Sequence, residues 1–364
     1  MSTTIAAARR KKLIEAMQRG GIDVLVAFGN SWQGDYLKYA TDFGLVEGNG
    51  IATIDASGAI ALYLESAVDA ERATLESPDL TVVHVRDAAG VLASHLGSAN
   101  GKRLAAAPYH LLPRALTAAV TLADATPLVD ALLMRKTPEE LDALRRSARL
   151  ADRAYEVFRD SAVAGRKQYE LVADVETFLR AHGSPENFML VGSGGVDVRG
   201  MVPPSDRALA SGDLVTTELT PEVDGYYAQI CRTLVVGRSN PAQRKAFAVF
   251  LEALEAGIAA VRPGVRACDV AKAENDVFRK YGLAEYTTNA YTRVRGHGLG
   301  LFADSKPHIL EDIEVVLEAG MSIVVHPNTY HPEAGYIVLG DTVIVTETGA
   351  EVVTQTPRAL FESA

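Results

Sequence analysis

Cysteine is scarce in this chain: Cys231 and Cys268 are the only two among 364 residues, too few for a disulfide scaffold or a structural zinc knuckle. Basic charge is short too. Thirty-six Lys and Arg face 46 Asp and Glu, a net charge of -10, so neither a nucleic-acid partner nor an anionic membrane surface is expected. The one basic run, Arg9-Arg10-Lys11-Lys12, reads as the solvated face of a first helix. No apolar segment approaches the ~18 to 20 residues that span a bilayer. The N-terminus has no apolar signal core, so a cytoplasmic protein is expected. Repeats and low-complexity tracts are absent by eye, and Trp32 is the single tryptophan. What is present has globular proportions, 48% hydrophobic and 23% charged, and the length suits two domains with sizeable cores.

The first part alternates helix and strand. Ile5, Leu13, Ile14 and Met17 have helical spacing, Gly20-Gly21 ends that helix, and Asp23 to Phe28 reads as a buried strand. Ile51 to Ile54 and Ala59 to Leu64 flank a turn, and strands at Leu80 to Val85 and Arg103 to Ala107 complete an α/β rhythm. Thr137-Pro138-Glu139-Glu140 then forms a strong helix start, giving domains of 1–135 and 136–364. Helices are expected from Pro138 to about Val163, over Tyr169 to His182, from Asn240-Pro241 to Val261, and after Pro263-Gly264. Strands are expected over Leu214 to Val236, Met321 to Pro327 and Asp341 to Thr346.

The most informative stretch is Glu218 to Thr233, E-L-T-P-E-V-D-G-Y-Y-A-Q-I-C-R-T. Asp224-Gly225 between two strand-like runs predicts a β-hairpin. A reversal between Val223 and Asp224 places Glu218 opposite Gln229 and Thr216 opposite Cys231, all on one face by the two-residue alternation of strands. The other face, with Val215, Leu219, Tyr226, Ala228 and Ile230, belongs to the core.

With Gly296-His-Gly-Leu-Gly-Leu301 and Leu317-Glu-Ala-Gly-Met-Ser-Ile-Val-Val-His-Pro327 running on to Gly340-Asp-Thr-Val-Ile-Val-Thr-Glu347, this hairpin resembles the pita-bread family of creatinase, aminopeptidase P, prolidase and methionine aminopeptidase. The resemblance implies an α+β protein, a creatinase-like α/β N-terminal domain followed by a pita-bread domain, and a homodimer in which the Asn30 to Asp35 loop with Trp32 reaches the partner's site. It also implies a pair of metal ions held by two aspartates, a histidine and two glutamates in the family's metallopeptidases. Here those positions are Glu218, Gln229, His297, His326 and Gly340, and the family's proton-shuttling histidine falls on Asp304. A bridging carboxylate replaced by glycine and another by an amide lack the charge that offsets two close cations.

The expectation is therefore a creatinase-like, metal-independent hydrolase of a small amide- or amidine-like molecule, with no cofactor. Glu218, His297 and His326 are its acid–base residues, and Gln229, Cys231, Asp304, Tyr330 and Trp32 its substrate-binding candidates. Two alternatives stand beside it. One is a metal-dependent Xaa-Pro dipeptidase- or aminopeptidase-like enzyme, or a hydrolase or lyase with a single divalent ion on Glu218, His297 and His326. The other is a non-catalytic binding protein.

Overall fold

The computed structural model describes residues 3–99 and 101–363, and the chain divides into two compact units, 1–133 and 134–364. The fold is α+β, with each unit built around its own sheet. The first unit is built on a six-stranded sheet. Its centre is Val24–Asn30, antiparallel to Asn49–Asp55 and parallel to Leu104–Ala107. Val24, Val26 and Phe28 bury themselves against Leu92, Leu96 and Leu116 of the covering helices, which is why this strand is an apolar run rather than an alternating one.

In the second unit Thr137 and Glu140 cap the helix Pro138–Ser161 reciprocally. The same device, Asn240 with Gln243, opens Pro241–Ala260. A ten-stranded sheet carries four helices. Pro138–Ser161 and Gln168–Ala181 share one core cluster, where Phe158 and Leu171 meet Val215, Leu219 and Ile230. Pro241–Ala260 and Ala267–Lys280 share another, where Phe250 and Phe278 meet Val325 and Val343. The middle of the sheet runs, neighbour to neighbour, through Gly296–Gly298, Ser322–Val325, Gly340–Val345, Ile230–Val236 and Leu214–Val223. Among the described residues no helix is long and apolar enough to cross a membrane.

The hairpin forms with a different register from the one expected. Val223 pairs with Tyr226 and Glu222 with Tyr227, so the reversal is the two-residue turn Asp224-Gly225, both with positive φ (51° and 84°). Only that turn matches the twist of the strands. Glu218 consequently lies opposite Cys231, and Thr216 opposite Thr233. A shift of two residues keeps every side chain on its expected face, so the polar face survives the correction.

One buried group makes stability depend on pH. Glu274 is fully buried against Gly257, and neither carboxyl oxygen has a hydrogen-bond partner. Burial, only partly countered by the charge of Arg295, raises its pKa well above the ordinary carboxylate value. A folded-state pKa above the unfolded one gives stability that is complete below about pH 4.5 and is lost as pH rises. Glu274→Gln is thus expected to be close to neutral at pH 4 and stabilising by about 1 to 3 kcal/mol at pH 8. Urea unfolding at the two pH values checks this, and an equal effect at both contradicts it.

Candidate active site

Five adjacent strands deliver the site residues: Glu218 and Cys231 from the hairpin, Gly340 from the next strand, His326 from the end of Ser322–Val325, and His297 from Gly296–Gly298. The glycines around His297 are demanded by close approach. A Cβ at Gly296 would lie 2.0 Å from the Val324 carbonyl oxygen, and one at Gly298 would lie 2.1 Å from that of Lys306. On this closely packed strand His297 lies beside His326, their ring centroids 5.4 Å apart.

Glu218, Gln229, His297 and His326, all buried, line a cleft of about 320 Å³ with Asp304 and the apolar walls Phe188, Leu190, Val294 and Ala303. The carboxyl of Glu218 is raised to about 7, chiefly by burial and against the lowering effect of the hydrogen bond from Asn328. His297 Nδ1 lies 3.0 Å from the Gly298 carbonyl oxygen, which places the proton on Nδ1 and the lone pair on Nε2. Burial holds His326 down to about 3, so it stays neutral, and its buried Nδ1 has no partner in the chain. At Asp304 burial works upward, but the hydrogen bond from His308 Nε2 (3.1 Å) and nearby His297 outweigh it, and the carboxyl lies below its ordinary range.

The other sequence candidates are placed differently. Gln229 turns its amide nitrogen to Cys231 Sγ, 3.4 Å away. Cys231 is wholly buried in a core cluster and absent from the cleft lining, and burial followed by the charge of Glu218 pushes its thiol up, so it has no thiolate character. Tyr330 packs between Tyr286 and Tyr291, and its hydroxyl donates to the Val196 carbonyl oxygen at 2.7 Å. It is absent from the cleft lining. Trp32 lies in the first unit, 91% exposed, which removes core packing as its role.

Asn328 was not evident from sequence. Its Nδ2 donates to Glu218 Oε1 at 2.7 Å, its Oδ1 accepts from Leu339 N, and its carbonyl oxygen accepts from Arg295. It ties the Glu218 strand to the segment bearing His326. Its only sequence signal is its place two residues beyond that histidine.

A pair of metal ions does not fit these residues. A Cβ at Gly340 would meet His326 Cβ at 2.6 Å, the Val325 carbonyl oxygen at 2.9 Å and Cys231 Sγ at 3.1 Å, so the space a carboxylate would need is filled. Gln229 brings no charge, and among the described residues no three His, Cys, Asp or Glu converge as a ready-made ion site.

Comparison with known proteins supplies the context. Residues 142–347 match the model of Metallopeptidase family M24, and residues 9–134 match that of the Creatinase/Prolidase N-terminal domain. The chain is 31% identical over 228 residues to a Xaa-Pro dipeptidase of Pyrococcus furiosus, covering 62% of this chain and 64% of that protein. It is 34% identical over 256 residues to a probable dipeptidase PepE of Mycobacterium tuberculosis, covering 69% and 67%. The first alignment thus spans under two thirds of the relative's length. In solved structures, prolidase from Pyrococcus horikoshii superposes with a TM-score of 0.83 at 25% identity over 97% of this chain and 99% of that one. Dipeptidase PepE from Mycobacterium ulcerans gives 0.83 at 28% identity over 100% and 99%. These relatives overturn two expectations. Their names are those of dipeptidases, which corrects the metal-independent creatinase-like hydrolase, and a family of metallopeptidases corrects the expectation of no cofactor. What this chain's residues deny is narrower, namely the pair of ions.

Proposed function

The chain belongs to Metallopeptidase family M24, and from that premise we propose that it is a hydrolase of the dipeptidase type, acting on the amide bond of a short peptide bound in the Glu218–His297–His326 cleft. The observation that supports this most directly is the clustering of those three ionisable side chains, buried, at one wall of an apolar-sided cleft. A carboxyl raised to about 7 exchanges its proton near neutral pH, which suits general acid–base work on an amide. The Nε2 lone pair of His297 accepts a proton from water or from the ammonium of the substrate. His326, held neutral, offers a hydrogen-bonding atom without adding charge. Asn328 fixes one oxygen of Glu218 and leaves the carboxyl aimed at the cleft.

No step is routed through a metal pair. Glu218, His297 and His326 are the donor types that suit one divalent ion, although as placed they do not converge on one; drawn together around an ion they would let it polarise the scissile carbonyl or acidify a water. The test is a panel of Xaa-Pro and other dipeptides incubated with purified protein in chelator, then with Mn, Co or Zn, and the free amino acids counted. Release above background for at least one dipeptide is expected. Intact peptides across the whole panel and all conditions contradict the reading.

The reading includes a homodimer, supported by the exposed Trp32 side chain, which a second copy would cover. Light scattering at micromolar concentration is expected to give twice the monomer mass, and a monomer contradicts it.

A further inference from the structure

In the first unit, the helix-covered face of the sheet changes character from one cross-strand row to the next. Side chains of residues paired across strands share a face, and Phe28, Ile51, Tyr63 and Val83 form one such row. These four pack against Leu92 and Leu96 of the helix Ala88–Gly97. The neighbouring row is Val26, Thr53, Ala61 and Thr81. Three of its four side chains are short, and they leave space under the end of the same helix. The result is a hollow of about 220 Å³, with Thr53, Ala61 and Thr81 against Val24, Leu92 and Leu96. An apolar cavity of about 150 Å³ holds benzene, so this one has room for a ring-sized body.

We propose that this hollow is a binding site for a small organic amine, a ring-sized apolar body carrying a primary ammonium, with Asp55 as its counter-ion. It shares no residue with the Glu218–His297–His326 cleft. Asp55 lies at its rim, and no Lys, Arg or second carboxylate lines it among the described residues. Oδ1 of Asp55 accepts from Ser57 N, Ser57 Oγ and Ala59 N, which fixes the side chain in its turn and leaves Oδ2 without a partner in the chain. The hydrogen bond from Ser57 Oγ leads in holding this carboxyl below its ordinary range, so it is an anion at neutral pH. The Tyr63 hydroxyl and His95 Nδ1, 3.3 Å apart, satisfy one another at the opposite wall. An apolar floor with one fixed anion at its edge complements an ammonium on an apolar ring and disfavours a carboxylate on the same ring. Asp55 is open to solvent, so its share is that of a screened charge.

Binding of benzylammonium, benzyl alcohol and benzoate to the full chain is measured by NMR titration. Benzylammonium is expected to bind with a dissociation constant on the order of 1 to 10 mM, what a ligand of roughly eight non-hydrogen atoms reaches at ordinary efficiency. Benzyl alcohol is expected to bind more weakly, and benzoate not measurably. Asp55→Asn keeps the Oδ1 acceptor of the turn and removes the charge. It is expected to weaken benzylammonium about three- to tenfold and to leave benzyl alcohol unchanged. Ala61→Leu fills the hollow and is expected to abolish binding of both, with circular dichroism reporting the fold. Should that variant not fold, Asp55→Asn decides alone. Absence of benzylammonium binding, equal binding of benzoate, or benzylammonium binding that Asp55→Asn leaves unchanged each overturns the proposal.

Discussion

Glu218→Gln is expected to lower kcat/KM on any dipeptide the protein cleaves by at least about 100-fold, the low end of what a positioned acid or base contributes. The substitution is nearly isosteric and its Oε1 still accepts from Asn328, so the fold should survive. Near-wild-type melting and an unchanged circular dichroism spectrum would show that it does. What is lost is the exchangeable proton of a group whose pKa is lifted to about 7 by burial. His297→Ala removes the neighbouring lone pair and is expected to act in the same direction. An unchanged kcat/KM in Glu218→Gln would remove the carboxyl from the chemistry.

Fewer than two metal ions per chain are expected after saturation with Mn, Co or Zn and removal of excess, measured by elemental analysis of the dialysed protein. The obstacle to a second ion is steric as well as electrostatic. Gly340 is hemmed in by the Cβ of His326, the Val325 carbonyl oxygen and Cys231 Sγ, and its missing Cβ is what lets these groups approach. Gly340→Glu alone is therefore expected to destabilise the protein by about 1 to 3 kcal/mol through overpacking, without adding a metal. Changing His326→Glu together with Gly340→Glu and Gln229→Asp restores the anionic charge, and is expected to raise the metal content. Two ions bound by the unaltered chain would contradict the steric account.

Much of the fold was legible because its signals are local. Thr137-Pro138-Glu139-Glu140 and Asn240-Pro241 announce helix starts by capping chemistry that needs no tertiary context, and both helices begin there. The face carrying Glu218, Gln229 and Cys231 followed from strand alternation. Register was harder. The Asp224-Gly225 pair marks the turn but leaves open whether the reversal centres before it or within it, and a two-residue turn with both φ positive puts it within. The strand Asn187–Gly194 escaped notice because half of its residues are glycine, serine or polar, and its pairing with Leu214–Val223 is what stabilises it. In the site, His297 and His326 were found through a resemblance. Asn328, Phe188 and Val294 were not, because a cleft wall and a side-chain clamp are set by distant segments meeting and leave no periodic mark. The same limit explains the reversed reading of function. Departures at ligand positions are visible as single residues, whereas the similarity to dipeptidases is spread over 228 to 256 residues and has no local mark.

The central claim, that this cleft hydrolyses a short peptide, is tested most directly by running the dipeptide panel on the unaltered protein and on Glu218→Gln side by side, with and without divalent metal. The account predicts that the unaltered protein releases free amino acids from at least one dipeptide and that the variant does so at least about 100-fold more slowly. Equal rates in the two proteins, or no release by either, would contradict it.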